Sequence, residues 1–327
     1  MRVLVTGGAS GLGASLVAAY LARGDEVLVG DINLTPSVEE VAQQPSRNQG
    51  SGGFETLAGA RSSTTTQGSG GFETLAGARS STTEGGFETL AGARSSTTEG
   101  AAPRPPESLH LDVRSDDDWA AALAWVEEHW GGLDVLVNNA GVAGGGRIDV
   151  AGLDEWQWIT EINLFGVVRG TRTFVPVFKR QRSGQIVNIA SLAGLVHPAG
   201  MGSYNAVKAA VVAFSETTGH ELAEHGVRCS VVCPSYFRTR LIENMQALQP
   251  PGGDTAVGQV IGGLVASAPL GPDDIAAAIL EGVDRGEELI LPDEAARSAY
   301  ALKVGDRAAY DLLMRKQAAR LNAMGEA

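Results

Sequence analysis

The chain has almost no cysteine: two residues in 327, Cys229 and Cys233. Both fall in Val227-Arg228-Cys229-Ser230-Val231-Val232-Cys233, which reads as a strand. Four strand residues span roughly 13 Å, too far for a disulfide, so both are expected to be core thiols. Five scattered histidines and two such thiols cannot assemble a metal cluster, and no metal site is expected. Long hydrophobic runs are missing too. None approaches the ~18 apolar residues that span a bilayer. The opening Val3-Leu4-Val5 meets glycine too soon for a signal peptide, so a cytoplasmic protein is expected. Basic charge is short: 25 Lys and Arg against 38 Asp and Glu leave −13 net. That balance argues against nucleic acid or an anionic membrane as partner. The acidic residues are spread along the chain and read as a solubilising surface.

What the chain does have is alternation. Apolar runs rich in β-branched residues lie at Arg2–Thr6, Glu26–Asp31, Leu109–Asp112, Leu133–Asn138, Gly184–Ala190, Val227–Cys233 and Glu287–Leu291. Between them are helical stretches at Leu12–Arg23, Asp116–Trp130, Glu155–Lys179, Ser203–His225 and Asp273–Arg285. Runs that are apolar throughout suit strands buried on both faces of a parallel sheet. Strand and helix in turn predict an α/β fold, a doubly wound parallel sheet of about seven strands with helices on both faces.

One segment breaks the rhythm. Gly-Gly-Phe-Glu-Thr-Leu-Ala-Gly-Ala-Arg-Ser-Ser-Thr-Thr occurs three times, at Gly52–Thr65, Gly70–Thr83 and Gly85–Thr98. Folded solenoid repeats run to about 20–45 residues and carry more apolar positions. Each copy here offers little beyond one Phe and one Leu, too little to offset the entropy of ordering. Residues 46–106 are therefore expected to be a flexible insert, preceded by a helix remnant at Ser37–Gln44 and leaving through Pro103, Pro105 and Pro106. It falls between the second and third strands, towards one edge of a doubly wound sheet, where a long insertion leaves the core intact. An inert expansion is the default reading; a binding or epitope module is the alternative.

The first strand runs into Thr6-Gly7-Gly8-Ala9-Ser10-Gly11-Leu12-Gly13, and a helix follows. Glycines here permit a tight turn, let the backbone approach a pyrophosphate and allow close helix–strand packing. The helix N-terminus offers N–H groups and a positive dipole end to phosphates. Asp31, at the end of the second strand, sits where a carboxylate accepts hydrogen bonds from adenosine ribose hydroxyls, or merely caps the next turn. A carboxylate there repels a 2′-phosphate. No Arg or Lys lies within Gly7–Gly13 or at Ile32-Asn33 to offset it, so NAD is expected in preference to NADP.

Further along come Leu111-Asp112-Val113, Asn138-Asn139-Ala140-Gly141, Asn163, Ser191, Tyr204-x-x-x-Lys208 and Pro234 through Thr239. With the glycine turn, and in this order, they resemble the short-chain dehydrogenase/reductase family of single-domain type. The resemblance implies one Rossmann-type NAD(P)-binding domain over residues 1–327, interrupted at about 46–106. It implies cofactor contacts from Gly7, Ser10, Gly11, Leu12, Gly13, Asp31, Asp112, Val113, Asn139, Ala140, Gly141, Tyr204, Lys208, Pro234 and Thr239. Asp112 and Val113 would flank the adenine ring. Asn138 through Gly141 would shape the cofactor floor and steady the central strand, and Thr239 would contact the carboxamide. One departure is visible: the family often has Pro-Gly after the sixth strand, and here Ser235 follows Pro234.

Moving a hydride between a secondary alcohol and a ketone needs a matching acid or base for the hydroxyl proton. A free tyrosine, with a pKa near 10, is a poor base. Tyr204 and Lys208 share a helix face at i, i+4, and an adjacent ammonium favours the phenolate. Tyr204 is thus the expected general acid/base, with Lys208 tuning it and binding the nicotinamide ribose. Ser191 ends a strand at the ligand-binding edge of the sheet and would hydrogen-bond the substrate oxygen. Asn163 would, by the resemblance, hold a water linking Lys208 to solvent. Taken singly, Tyr204 and Lys208 also fit a surface pair and Ser191 an ordinary turn. His197 and Met201 are expected near the substrate mouth, and Trp156 and Trp158 as packing residues.

Residues 237–270 are expected to form a substrate lid, with a short helix around Leu241–Leu248 and then Gly/Pro-rich chain. Its apolar residues, Ile261 and Val265 among them, fit a hydrophobic alcohol or ketone. Residues 294–327 read as a helical extension that covers the pocket or joins a subunit interface. The family commonly forms homodimers and homotetramers, which is the assembly expected. The expected function is an NAD-dependent oxidoreductase; the rivals are a non-catalytic NAD-binding sensor or scaffold and a nucleotide-sugar epimerase or dehydratase.

Overall fold

The computed structural model describes residues 1–34, 105–239 and 254–325. The repeats, the helix at Ser37–Gln44 and the helix around Leu241–Leu248 lie outside the described residues. Met1–Gln44 and Pro103–Ala327 belong to one compact unit, within which everything below falls.

Strands β1 (Arg2–Thr6), β2 (Glu26–Asp31), β3 (Glu107–His110), β4 (Val135–Asn138), β5 (Gly184–Ile189), β6 (Val227–Val232) and β7 (Leu289–Ile290) form one sheet in the order β3-β2-β1-β4-β5-β6-β7. Every pairing is parallel. The central strands β1 and β4 are buried along nearly their whole length, as their unbroken apolar sequence requires. On one face Val3, Val5, Val135, Val137 and Val187 pack with helices α1 (Gly11–Ala22) and α8 (Pro272–Asp284). On the other, Leu4, Leu28, Leu136 and Ile186 pack with α2 (Asp116–Trp130) and α4 (Gly166–Gln181). The order in which strands are added reverses between β1 and β4, which opens a crevice at the carboxyl ends of those strands.

Three expectations change in detail. The edge strand β3 starts and ends two residues earlier than expected. After His110 the backbone is taken up by the start of α2, where Asp118 accepts the Asp112 N–H and Ser115 caps the helix. The single helix expected over Glu155–Lys179 is α3 (Leu153–Thr160), a π-helical turn Glu161–Phe165, and α4. The lid contains helix α7 (Thr255–Ala266) where irregular chain was expected. Glycines at 258, 262 and 263 lower its propensity. Burial of Val257, Ile261 and Val265, at i, i+4 and i+8, overrides that, and Asp254 caps it while gripping Arg147.

A short helix α5 (Ala193–Val196) and the long α6 (Gly202–Leu222) bracket the chain between Ser191 and Tyr204. Two C-terminal helices, α9 (Glu294–Gly305) and α10 (Arg307–Gly325), complete the described residues. Cys229 and Cys233 are buried and free.

Candidate active site

A cleft of about 530 Å³ lies at the carboxyl edge of the sheet. Every residue expected to touch the cofactor lines it, and so does Ser191. Asn163 does not; it is fully buried behind the wall.

The β1–α1 corner is built from backbone. Gly7 sits at φ +64, in the left-handed region that favours glycine. A Cβ at Gly13 would lie 2.1 Å from the Gly7 carbonyl oxygen, so the helix can dock on the turn only without a side chain there. Ser10 precedes α1 but makes no side-chain cap, and the first turn holds no acidic residue. Helix α2 is the opposite: Ser115 caps it, and Asp116, Asp117 and Asp118 crowd its first turn. One helix supplies its own negative end; the other presents open N–H groups to the cleft, as an anion-binding site does. The residues present therefore fit a pyrophosphate.

Asp31 is buried, with one carboxylate oxygen accepting the Ala9 N–H at 3.0 Å and the other the Asn33 N–H at 2.9 Å. It thus caps the local turns and also lines the cleft. Two of about four lone-pair positions remain for ribose hydroxyls. Asp112 is held below the usual carboxylate range chiefly by its hydrogen bonds from the Arg114 guanidinium, at 2.6–3.1 Å. On the floor, the Thr6 hydroxyl accepts from the Asn139 and Ala140 N–H groups, and the Asn139 amide donates to Thr6 and Gly7 carbonyls. Beneath it Asn138 donates to Asn188 at 2.9 Å, and Asn188 to Ser215 at 2.9 Å, a buried polar chain that ties β4 to β5 and α6.

Across the cleft, Ser191 stands close enough to the Tyr204 hydroxyl to favour its charged form, and its oxygen accepts the Ala193 N–H at 3.1 Å. The Lys208 ammonium donates to the Ile189 carbonyl at 2.9 Å and stands 5.7 Å from the centre of the Tyr204 ring. Both side chains feel their enclosure. Burial pushes the Tyr204 phenol up to about 12, with only Ser191 pulling it down. Burial likewise pulls Lys208 down to about 8. In each case burial penalises the charged form.

Asn163 is tied to the main chain of the cleft floor. Its amide donates to the Val142 carbonyl and accepts the Val142 N–H, both at 2.8 Å, from within the π-helical turn. It fixes the floor strip next to Gly141. Such turns recur at functional sites, but the sequence Glu161-Ile162-Asn163 carries no sign of one.

The substrate end holds residues that sequence reading did not assign to it: Val142, Trp158, Val196, Pro198 and Tyr236. Trp158, expected merely to pack, lines the cleft. Met201 lies there as expected, with Ile261 and Val265 from the lid. His197 does not line it. Ser235, the departure after Pro234, has a partner for its side chain: its hydroxyl and N–H both donate to Asp293, at 2.6 and 2.9 Å. Thr239 faces the glycine turn, where a Cβ on Gly11 would be 3.4 Å from its hydroxyl.

A doubly wound sheet with an open helix N-terminus at its β1–α1 corner defines a Rossmann-type nucleotide-binding protein. The chain belongs to the short chain dehydrogenase family, whose model matches residues 85–249, half of its length. It is 38% identical over 135 residues to a 3-alpha-(or 20-beta)-hydroxysteroid dehydrogenase of Mycobacterium tuberculosis, a match covering 41% of this chain and 52% of that one. The chain thus spans about half the length of this and several other curated relatives it matches. Two solved structures share the fold. A short chain dehydrogenase/reductase of Burkholderia phymatum in complex with NAD superposes with a TM-score of 0.70, 24% identity and 93% of each chain covered. A short-chain dehydrogenase of Sphingobium yanoikuyae in complex with NADPH gives 0.62, 21% identity, and 94% and 93% covered.

Proposed function

We propose that the protein is an NAD-dependent dehydrogenase that interconverts a secondary alcohol and a ketone. One observation carries this reading: Ser191, Tyr204 and Lys208 meet in the same cleft as the open glycine turn. A bound nicotinamide dinucleotide supplies the hydride acceptor or donor. The chain handles the proton. Tyr204 delivers it to the carbonyl oxygen in reduction and removes it from the hydroxyl in oxidation, while Ser191 holds that oxygen by a hydrogen bond. With its pKa at about 12, Tyr204 is a proton donor at neutral pH, which favours reduction there. Lys208 anchors the nicotinamide ribose and, below about pH 8, contributes positive charge beside the phenol. The water relay implied for Asn163 would use what its amide has left, since one donor and one acceptor are engaged on Val142.

NAD is preferred on this reading because the Asp31 carboxylate repels a 2′-phosphate. Arg114, the cleft residue that could offset it, is held on Asp112. The NAD named with the Burkholderia phymatum structure and the hydroxysteroid named for the mycobacterial relative support NAD and a hydrophobic substrate. So does the largely apolar wall of Trp158, Val196, Met201, Ile261 and Val265. The NADPH named with the Sphingobium yanoikuyae structure makes cofactor choice the first thing to measure. The reading also takes the protein as a cytoplasmic homodimer or homotetramer. It treats residues 46–106 as an inert expansion in one nucleotide-binding domain, residues 237–270 as the lid and residues 294–327 as a helical extension.

The test is absorbance of the reduced nicotinamide with NAD or NADP against secondary alcohols, hydroxysteroids and polyols, with Tyr204→Phe alongside. Turnover with NAD that vanishes in the variant supports the proposal. Cofactor binding without turnover on any of the panel would favour a sensor, and turnover preferring NADP would overturn the cofactor assignment.

A further inference from the structure

The two C-terminal helices have no part in the chemistry above, yet they hold the substrate end from behind. Asp293, buried at the start of α9, accepts from Ser235 and from the Ala296 N–H, so it joins that helix to the loop carrying Tyr236 and Phe237. Farther along α9, the Lys303 ammonium donates to the Leu195 carbonyl and to His197 Nδ1, the latter at 2.8 Å. His197 Nδ1 is therefore the acceptor and Nε2 the donor, to the Gly194 carbonyl at 3.1 Å. From α10, the buried Tyr310 hydroxyl donates to the Val196 carbonyl. Leu321, also buried, packs over Gly200, where a Cβ would lie 2.6 Å from the Leu321 methyl.

The held positions lie among the lining ones. Val196, Pro198 and Met201 line the cleft, while the Leu195 and Val196 carbonyls, the His197 ring and Gly200 meet the C-terminal helices. His197 adopts φ +54, a left-handed conformation costly for a residue with a Cβ, which persists where the surroundings over-determine it. The imidazole is kept below its ordinary pKa by burial first and then by Lys303 and Arg307, so it stays neutral and able to accept from Lys303.

We propose that α9 and α10 determine substrate specificity: through Asp293, Lys303, Tyr310 and Leu321 they hold both walls of the substrate end at the spacing that admits an apolar alcohol or ketone. These four are positioning residues; none lines the cleft. The ligand class rests on the dehydrogenase reading, but the grip does not, and the experiment separates them. Lys303→Met removes two polar contacts and Tyr310→Phe one, each with little change in volume, and Leu321→Ala is the harsher probe. In the full-length protein without substrate, amide hydrogen exchange across residues 192–201 should accelerate about tenfold or more in the first two variants. NMR should show His197 titrating at higher pH in Lys303→Met. With the apolar substrate the wild type turns over best, KM should rise about 5- to 50-fold with kcat changed less, and the ranking of substrates by size should shift. The NAD dissociation constant should stay within about twofold.

Unchanged exchange in both mild variants would overturn the grip. Faster exchange with unaltered KM and substrate ranking would overturn the role in specificity. If the wild type turns over nothing on the panel, the dehydrogenase reading fails and the specificity proposal falls with it, while exchange still judges the grip.

Discussion

The two ends of the cleft are made differently. The cofactor end is built from backbone: a glycine turn, an uncapped helix start, and side chains such as Thr6 and Asn139 that bond to main-chain groups within a few residues of the strand ends. The substrate end is built from side chains brought in from far apart in sequence: Val142, Trp158, Met201, Tyr236 and Ile261. Its support comes from farther still, in Lys303, Tyr310 and Leu321. A backbone site tolerates almost no added atoms, because the Gly13 position has none to give. A side-chain site can be reshaped one residue at a time, which allows one scaffold to serve many substrates.

The comparison can be broken or sharpened by substitution. The largest effect is expected at Tyr204, where the two ends meet. Tyr204→Phe should lower turnover by about 10²- to 10⁴-fold and leave the NAD dissociation constant nearly unchanged; a variant retaining most of its rate would move the acid/base role elsewhere. Next comes Gly13→Val, whose Cβ must occupy space 2.1 Å from a carbonyl oxygen. NAD affinity should fall by at least ~10²-fold, about 2.7 kcal/mol, measured by fluorescence titration with circular dichroism to confirm folding.

Asp31→Ala should then shift the ratio of NAD to NADP affinity towards NADP by roughly tenfold or more. If the ratio does not move, Asp31 serves only the turns it caps. The pH response follows from burial. A phenol raised to about 12 is protonated across neutral pH. The base needed for alcohol oxidation is scarce there and grows on alkalinisation, whereas the acid needed for reduction is already complete. Oxidation should therefore climb by up to about tenfold per pH unit from pH 7 to 9, with reduction flat or falling. The smallest effect is expected at the substrate end: Ile261→Ala should weaken discrimination between apolar substrates by about 1–3 kcal/mol and leave cofactor affinity alone.

The legibility of the sequence follows the same division. Gly7, Gly11 and Gly13 stand out because the backbone conformations they serve allow few other residues. Tyr204 and Lys208 lie one helical turn apart, so their neighbourhood is local and can be read along the chain. The bonds of Asn163 to Val142 cross 21 positions and depend on a π-helical turn, so they are not legible along the chain. The closeness of Tyr204 to Lys208 is written in the spacing, but the enclosure that raises its pKa is not. Helix α7 was missed because its glycines speak against it locally, and the packing of Ile261 with Met201 and Tyr204 is a tertiary matter.

By itself the sequence determined the parallel sheet, the glycine turn and the Ser/Tyr/Lys set. Each follows from periodicity, from backbone freedom or from residues near one another along the chain. Only the tertiary structure decided how deeply Tyr204 and Lys208 are buried, what shape the substrate end takes and which segments hold it. Desolvation and side-chain packing depend on every neighbour in space, and the neighbours that matter here, from Val142 to Leu321, are far apart along the chain.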